Sequence, residues 1–233
     1  MKLIITGATG FVAKEVIRQS LSRREITSVV AVARKPLSVP EKLEDGADIS
    51  KLRSVVLKDY NDYPEEVKRE FADASACIWT VAITPSKSTA YDPEEVKRVC
   101  QTSALSGLKA VYDAGVSKPF HFLYMSGATA ERDQTKKPWY HKDYTLMRGE
   151  TESKVLALAS ELEGVDVCVV KPGLIVAPGE VMKSALSTVM HWTLGIPGIS
   201  VVDLATIMLN QVINGFEKDT LTVNDLDRIE KPA

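Results

Sequence analysis

The chain lacks a surplus of charge of either sign. Its 29 lysines and arginines are matched by 31 acidic residues, which leaves a net charge of −2. A protein that binds nucleic acid as its main partner usually carries a basic patch, so we expect no nucleic acid here. No apolar run approaches the roughly 18 residues of a membrane-spanning helix, and Met1–Ile5 is too short for a signal-peptide core. We therefore expect a cytoplasmic protein that acts on a small-molecule substrate, with no membrane partner.

Cysteine and histidine are scarce, and their positions exclude several kinds of site. The chain has three cysteines and no C-x-x-C pair. Cys77 and Cys168 lie within strand-like runs, so we expect buried free thiols in a reducing compartment. The three histidines, His121, His141 and His191, show no metal-ligand spacing, so we expect no metal. The nucleophile motif G-x-S-x-G is also absent, which argues against a serine hydrolase.

Apolar runs and helical patterns alternate along the 233 residues, of which 45% are hydrophobic and 26% are charged. This length and composition fit a single domain with one sizeable core. Strands are predicted at Lys2–Thr6, Ser28–Ala33, Ser54–Leu57, Ser75–Ala82, Phe120–Met125, Asp166–Lys171 and, on a weaker pattern, Thr220–Val223. Helices are predicted at Val12–Ser22, Pro64–Phe71, Pro93–Ala114, Tyr144–Leu162, Val181–Trp192 and Asp203–Gly215. Continuous apolar strands separated by helices indicate an α/β fold with a doubly wound parallel sheet, the Rossmann type.

The first predicted strand leads into the turn TGATGFVA, whose spacing is G-x-x-G-x-x-A. Gly7 suits a tight strand-to-helix turn, and Gly10 leaves room for a pyrophosphate to approach the backbone. The helix that follows directs free N–H groups and its positive dipole end at the phosphates. We expect this turn to bind a dinucleotide through Gly7, Thr9, Gly10, Phe11 and Val12. A purely structural turn is the alternative.

The second predicted strand ends in Ala33-Arg34-Lys35, where an NAD-binding unit usually presents an acidic residue to the ribose 2′-hydroxyl. An arginine there suits a 2′-phosphate, because its guanidinium makes paired, charge-assisted hydrogen bonds. Arg34 and Lys35 therefore predict NADP as the cofactor, with solvated loop charges as the alternative. Asp59, just after the third strand, either accepts a hydrogen bond from the adenine amino group or caps its own turn.

Four stretches together resemble the short-chain dehydrogenase/reductase superfamily: TGATGFVAKEV, the ARK strand end, YMSG at 124–127 and the helix that begins near Tyr144. The similarity is to the atypical branch, with its NmrA-like proteins and the oxidoreductase-like proteins related to Tat-interacting protein. It runs from Met1 to about Ala177, and VVDLA at 201–205 is similar to a late helix of the extended and atypical members. The resemblance implies that Ser126 hydrogen-bonds a substrate carbonyl and that Tyr144 acts as acid or base.

The lysine that the family places four residues after the tyrosine is Arg148 in this chain. Arg148 keeps a positive charge one helical turn from Tyr144, where it favours the phenolate and is expected to lower the pKa of Tyr144. It can also donate to ribose hydroxyls, but it cannot release a proton. Ordinary surface or core roles for both residues are the alternative.

The resemblance also implies contacts beyond this pair. Pro172, Leu174 and Ile175 match the segment whose backbone meets the nicotinamide carboxamide. Residues that are candidates for lining a substrate pocket are Trp139, His141 and Trp192, with core or lid packing as the alternative. Within one domain spanning 1–233, residues from about 173 to 200 are expected to form a small substrate-side lobe.

Three functions remain open on these residues. The first is an NADPH-dependent oxidoreductase that reduces a carbonyl group or a conjugated double bond of a small organic molecule. The second is a non-redox isomerase or cyclase on the same fold, and the third is a regulatory protein that senses NADP(H). Tyr144 and Ser126 favour an enzyme, whereas Arg148 at the lysine position keeps the other two open. The sequence also leaves a homodimer open.

Overall fold

The computed structural model describes residues 1–38, 43–177 and 198–230. Within these ranges seven strands form one parallel sheet: β1 (Lys2–Thr6), β2 (Ser28–Ala33), β3 (Leu52–Val56), β4 (Ala76–Trp79), β5 (Phe120–Met125), β6 (Val165–Val170) and β9 (Thr220–Leu221). Their spatial order is β3-β2-β1-β4-β5-β6-β9. Two short strands, β7 (Leu174–Val176) and β8 (Gly198–Ser200), form a separate parallel pair.

The helices in the same ranges are α1 (Phe11–Ser20), α2 (Glu65–Phe71), α3 (Pro85–Ser88), α4 (Pro93–Lys97), α5 (Ser103–Asp113), α6 (Lys142–Ser160), α7 (Val201–Asn214) and α8 (Val223–Glu230). A π-helical segment, Arg98–Thr102, joins α4 to α5, and a 3₁₀ turn, Ile49–Lys51, precedes β3. The predicted helix 93–114 is therefore helical throughout nearly all its length, with a local change of hydrogen bonding in its middle.

Both faces of the sheet are buried, because successive side chains of a strand point to opposite sides. Leu3 and Ile5 of β1 belong to a core with α1, α7 and α8. Ile4 belongs to a second core with α2, α5 and α6 on the other face. This two-sided burial explains why the strands read as continuous apolar runs, and it confirms the doubly wound parallel fold. Cys77 and Cys168 are buried free thiols, as expected.

Several boundaries differ from the prediction. The strand expected at 75–82 ends at Trp79, and the weak strand expected at 220–223 ends at Leu221 because Val223 begins α8. The sequence pattern did not predict α3, α8 or the pair β7–β8. The helix predicted at 181–192 lies outside the described residues. Of the proposed lobe, the described parts 173–177 and 198–200 contain that small sheet.

The parallel topology brings the loops that follow β1 to β6 to one edge of the sheet. Ligands in such folds bind at this edge, at the carboxyl ends of the strands. The glycine turn, Arg34, Asp59, Ser126 and Lys171 all follow strands at this edge. The fold therefore places these residues along a single rim.

Candidate functional site

The turn after β1 has the backbone geometry that its glycines permit. Gly7 adopts a φ of 68°, in the left-handed region that favours glycine. Its N–H donates to the Tyr60 hydroxyl at 3.1 Å, and that hydroxyl donates to the Val32 carbonyl at 3.0 Å. The N–H of Gly10 donates to the Gly7 carbonyl oxygen at 2.7 Å. The turn is thus held to the end of β2 through a buried tyrosine that the sequence did not single out.

The start of α1 fits a phosphate group. Gly10 is its N-cap, and no side chain in the described part of the chain caps the helix, which leaves the first amides there available to a ligand. A Cβ at Gly10 would lie 3.0 Å from the Gly7 carbonyl oxygen, so the turn has little space for a side chain. Thr9, Gly10 and Phe11 are exposed, whereas Val12 is buried. The backbone here therefore has room for the pyrophosphate of a dinucleotide, and a contact with Val12 stays a prediction.

Arg34 and Lys35 follow β2 and are both exposed. Asp59 accepts hydrogen bonds from the backbone and side-chain nitrogens of Asn61, each at 3.0 Å, and from Arg98 at 2.9 Å. The Asn61 hydrogen bonds and the Arg98 charge hold the pKa of Asp59 below its usual range. Asp59 thus caps its own turn, which was one of the two predicted roles, and its contact with adenine stays a prediction.

Helix α6 presents three polar side chains, spaced four residues apart, to the ends of the central strands. Tyr144 donates its hydroxyl proton to the carbonyl oxygen of Ile83, after β4, at 2.8 Å. Arg148 donates to the carbonyl oxygen of Met125, at the end of β5, at 2.9 Å. The third side chain is Glu152, which is fully buried. Residues four apart share a helix face, so α6 fixes all three against the sheet edge together.

Tyr144 is less acidic than the sequence suggested. Burial raises the pKa of its hydroxyl to about 12, and the nearby Arg148 charge lowers the value only in part. The expected shift towards neutral pH is therefore wrong for this structure, because loss of hydration outweighs the attraction of one cation. A phenol with a raised pKa is protonated at neutral pH and can serve as a proton donor.

Arg148 is almost fully buried, and only 3% of its surface is exposed. Its guanidinium lies 5.1 Å from the centre of the Tyr124 ring, a cation–π distance. Its Nη1 atom is buried and has no hydrogen-bond partner among the described residues. A buried guanidinium nitrogen without an acceptor is costly, so an oxygen of a bound ligand would stabilise it.

Glu152 is the main residue of this site that the sequence analysis missed. Its carboxylate accepts hydrogen bonds from Ser126 Oγ at 2.5 Å, Arg132 Nε at 2.8 Å and Lys171 Nζ at 3.0 Å. One signal was present in the sequence, since Glu152 follows Tyr144 by eight residues and Arg148 by four. A carboxylate at that spacing shares the helix face of the catalytic candidates.

Ser126 is at the predicted place after β5, but its hydroxyl proton is already donated to Glu152. A serine hydroxyl has one proton to donate, and here Glu152 accepts it. In this arrangement the Ser126 oxygen can only accept a further hydrogen bond, and it cannot donate one to a substrate carbonyl. The role implied by the resemblance requires the hydroxyl to rotate when a ligand binds.

The segment after β6 lies beside the loop after β5. Pro172 is buried, and its carbonyl oxygen accepts a hydrogen bond from the N–H of Ala128 at 2.9 Å. Leu174 and Ile175 belong to β7 and pair with Gly198 and Ile199 of β8. The structure thus brings this segment next to Ser126, while its contact with a nicotinamide stays a prediction.

A cleft of about 600 Å³ opens beside Tyr144. Its lining comes from two regions: Ser88, Thr89, Tyr91, Pro93, Glu94, Val96 and Lys97 around α3 and α4, and His141, Lys142, Asp143, Tyr144 and Met147 at the start of α6. His141 is thus one of the lining residues, and its contact with a substrate stays a prediction. Trp139 is 78% exposed, contacts the Tyr140 ring and is not among the lining residues. Trp192 lies outside the described residues.

No cluster of three or more histidine, cysteine or acidic side chains in the described ranges is placed to hold a metal ion. No helix in those ranges combines the length and the apolar character needed to cross a membrane.

Comparison with known proteins identifies the family. A family model described as NAD(P)H-binding matches residues 7–212, which include the glycine turn, α6 and most of α7. No curated protein matches the chain. The match covers well over half of the 233 residues, so it applies to the whole arrangement described above rather than to one motif.

Solved structures share the fold at low sequence identity. The reductase domain of PhqB from Penicillium fellutanum is 15% identical, with a TM-score of 0.69, 96% of this chain covered and 67% of that one. A 3-oxoacyl-[acyl-carrier protein] reductase from Brucella melitensis in complex with NAD is 13% identical, with a TM-score of 0.66, 98% of this chain and 96% of that one covered. MoeE5 in complex with UDP-glucuronic acid and NAD is 17% identical, with a TM-score of 0.66 and 96% and 76% covered. At such identities these likenesses show the fold alone.

The buried state of Tyr144 predicts how stability depends on alkaline pH. Tyrosine in an unfolded chain has a pKa of about 10, whereas burial raises that of Tyr144 to about 12. As pH rises through this interval the unfolded chain loses a proton that the folded chain keeps, so the free energy of unfolding falls. We expect Tyr144→Phe to make this fall shallower, by up to about 1.4 kcal/mol per pH unit.

Urea unfolding at several pH values between about 9 and 11 measures this slope. Met147→Leu is the matched control, because Met147 lines the same cleft and its replacement removes no titrating group. It should keep the wild-type slope. Equal slopes for the wild type and Tyr144→Phe would contradict the raised pKa.

Proposed function

Since this chain belongs to the NAD(P)H-binding family, we propose that it is an NADPH-dependent oxidoreductase that reduces a carbonyl group or a conjugated double bond of a small organic molecule. The observation that carries the proposal is the position of Tyr144. Its side chain lines a cleft large enough for a small molecule, and it lies one helical turn from a buried cation, Arg148. Membership of the family implies that the chain binds the cofactor, and the cleft has room for a substrate.

The chain's own residues bind the cofactor at one end of the proposed site and donate a proton at the other. The glycine turn and the start of α1 bind the pyrophosphate, and Arg34 with Lys35 binds a 2′-phosphate at the end of β2. The bound dinucleotide supplies the hydride. Tyr144 supplies the proton, and its raised pKa keeps that proton on the hydroxyl at neutral pH. To reach a substrate, the hydroxyl exchanges its hydrogen bond with Ile83 for one with the substrate.

Arg148 orients the nicotinamide ribose in this proposal. Its free Nη1 donates to a ribose hydroxyl, while Nη2 keeps the hydrogen bond to Met125. A guanidinium does not give up its proton, so Arg148 cannot return a proton to Tyr144 after Tyr144 has donated its own. That proton comes from water or from a ribose hydroxyl. Ser126 contacts the reacting oxygen after its hydroxyl turns away from Glu152.

A regulatory or non-redox role remains the second candidate, and one observation favours it. The hydroxyl protons of Tyr144 and Ser126 are both donated to groups of the protein itself. A protein that only senses NADP(H), or an isomerase or cyclase that leaves its cofactor unchanged, needs neither proton for net reduction.

The glycine turn is tested by two substitutions at one position. Gly10→Ala and Gly10→Asp both add a Cβ close to the Gly7 carbonyl oxygen, but only aspartate adds negative charge where the phosphates bind. We expect calorimetry to show weakened NADPH binding for the alanine variant and none for the aspartate variant. Circular dichroism should show both folded. Equal NADPH affinity in a folded Gly10→Asp variant would place the phosphates elsewhere.

Cofactor preference is tested at the end of β2. Charge-assisted hydrogen bonds to a 2′-phosphate should make NADPH bind more than about tenfold tighter than NADH. Arg34→Ala should reduce this ratio, with Lys35 retaining part of it. Arg24→Ala is the control, because Arg24 is exposed before β2, at the opposite end of that strand. If wild-type protein binds both cofactors equally, the assignment of Arg34 to the phosphate is wrong.

Catalysis is tested by following NADPH absorbance with a panel of aldehydes, ketones, quinones and conjugated enones. On any compound that wild-type protein reduces, Tyr144→Phe should lower turnover by about 10²–10⁴ and leave NADPH affinity nearly intact. Arg148→Met should weaken NADPH binding, whereas Arg148→Lys should retain it. Normal turnover by Tyr144→Phe would mean that another group, with His141 the next candidate, donates the proton. If the protein reduces none of the compounds in the panel, that result favours the regulatory or non-redox role.

A further inference from the structure

We infer that Glu152 is a positioning residue for the nicotinamide half of the cofactor. The inference rests on the proposed function, because it assumes that a dinucleotide lies along the rim of the sheet. It goes further in naming a buried carboxylate, outside the cofactor-binding residues, that sets the geometry of one half of that site.

Three donors from three places converge on this one carboxylate. Ser126 Oγ donates to Oε1, while Arg132 Nε and Lys171 Nζ both donate to Oε2. Glu152 itself has no exposed surface, and the side chain of Lys171 is 14% exposed. Buried charges of opposite sign persist only where they are paired and hydrogen-bonded. Glu152 therefore fixes each donor in place.

The same donors tie together the loops that follow β5 and β6. Lys171 Nζ also donates to the carbonyl oxygen of Ala130 at 2.8 Å, and Arg132 Nη2 donates to Thr220 Oγ1 at 2.9 Å. Backbone hydrogen bonds join Ser126 to Val170 at 2.8 Å and Ala128 to Pro172 at 2.9 Å. Glu152 and these backbone hydrogen bonds together hold the Ser126 loop beside Pro172, where the nicotinamide ring is proposed to lie.

Removal of this charge should disturb the two loops selectively. With glutamine at 152, the positive charges of Lys171 and Arg132 lose their shared anion and repel each other. Among the described residues, none of the hydrogen bonds of this cluster reaches Gly7–Val12 or Arg34. The adenine and phosphate end should therefore keep its affinity while the nicotinamide end loses it.

Calorimetry with two probes separates the ends. NADPH occupies both halves of the site, whereas adenosine 2′,5′-bisphosphate occupies only the adenine half. We expect Glu152→Gln to weaken NADPH binding by about tenfold or more and to leave binding of the bisphosphate unchanged. The control is Glu150→Gln, which removes a carboxylate of the same helix that is 38% exposed and pairs with Lys154 at 2.9 Å. It should bind both probes as the wild type does.

Equal loss of both probes by a folded Glu152→Gln variant would mean that Glu152 only stabilises the fold, and no loss would mean that it does not position the cofactor. If Glu152→Gln does not fold, Arg132→Gln removes one donor from a side chain that is 33% exposed. It should show the same selective loss, and without that loss the inference is overturned. If wild-type protein binds neither NADPH nor the matched pair NADH and AMP, the proposed function fails first.

Discussion

Two opposite charges, Arg148 and Glu152, are buried one turn apart on α6, and the β5–β6 end of the site depends on how they are satisfied. Arg148 donates to the end of β5, and Glu152 accepts from the loops after β5 and β6. Any rotation or sliding of α6 would leave a buried charge unpaired. Gly149, between them, allows the close contact, since a Cβ there would lie 1.8 Å from the Glu131 carbonyl oxygen. Tyr144, on the same face, is held in place as a consequence.

Different interactions form the two ends of the proposed cofactor site. At the β1 end, the left-handed conformation of Gly7 and the missing side chain of Gly10 leave backbone amides open to the proposed phosphates. At the β5–β6 end, the backbone is held by a buried network of side-chain charges around Glu152. Helix α6 provides Tyr144 to the cleft and Glu152 to the network, so the proposed chemistry and the cofactor geometry share one element.

Sequence reasoning predicted the sheet well and the ends of elements less well. Strands such as Phe120–Met125 matched, because they are buried on both faces and carry an uninterrupted apolar pattern. It missed β7 and β8, which are three residues each and have too short a pattern to register. For the site it predicted Ser126, Tyr144 and Arg148 through the family spacing, and their catalytic roles stay predictions. It assigned Tyr144 a lowered pKa, because the spacing shows a nearby cation but does not show how deeply the hydroxyl is buried.

The amino-acid sequence by itself determined the parallel α/β fold, the glycine turn and the side chains available at the rim. Those features follow from local patterns: apolar periodicity, turn residues and helical spacing. Only the tertiary structure decided that the Ser126 proton is donated to Glu152 and that Asn61 and Arg98 donate hydrogen bonds to Asp59. It alone also decided that Arg148 has a buried nitrogen with no hydrogen-bond partner among the described residues. Hydrogen-bond partners and burial depend on residues that are far apart in the chain and meet only when the sheet is assembled. The chemical state of each side chain is therefore a property of the folded molecule.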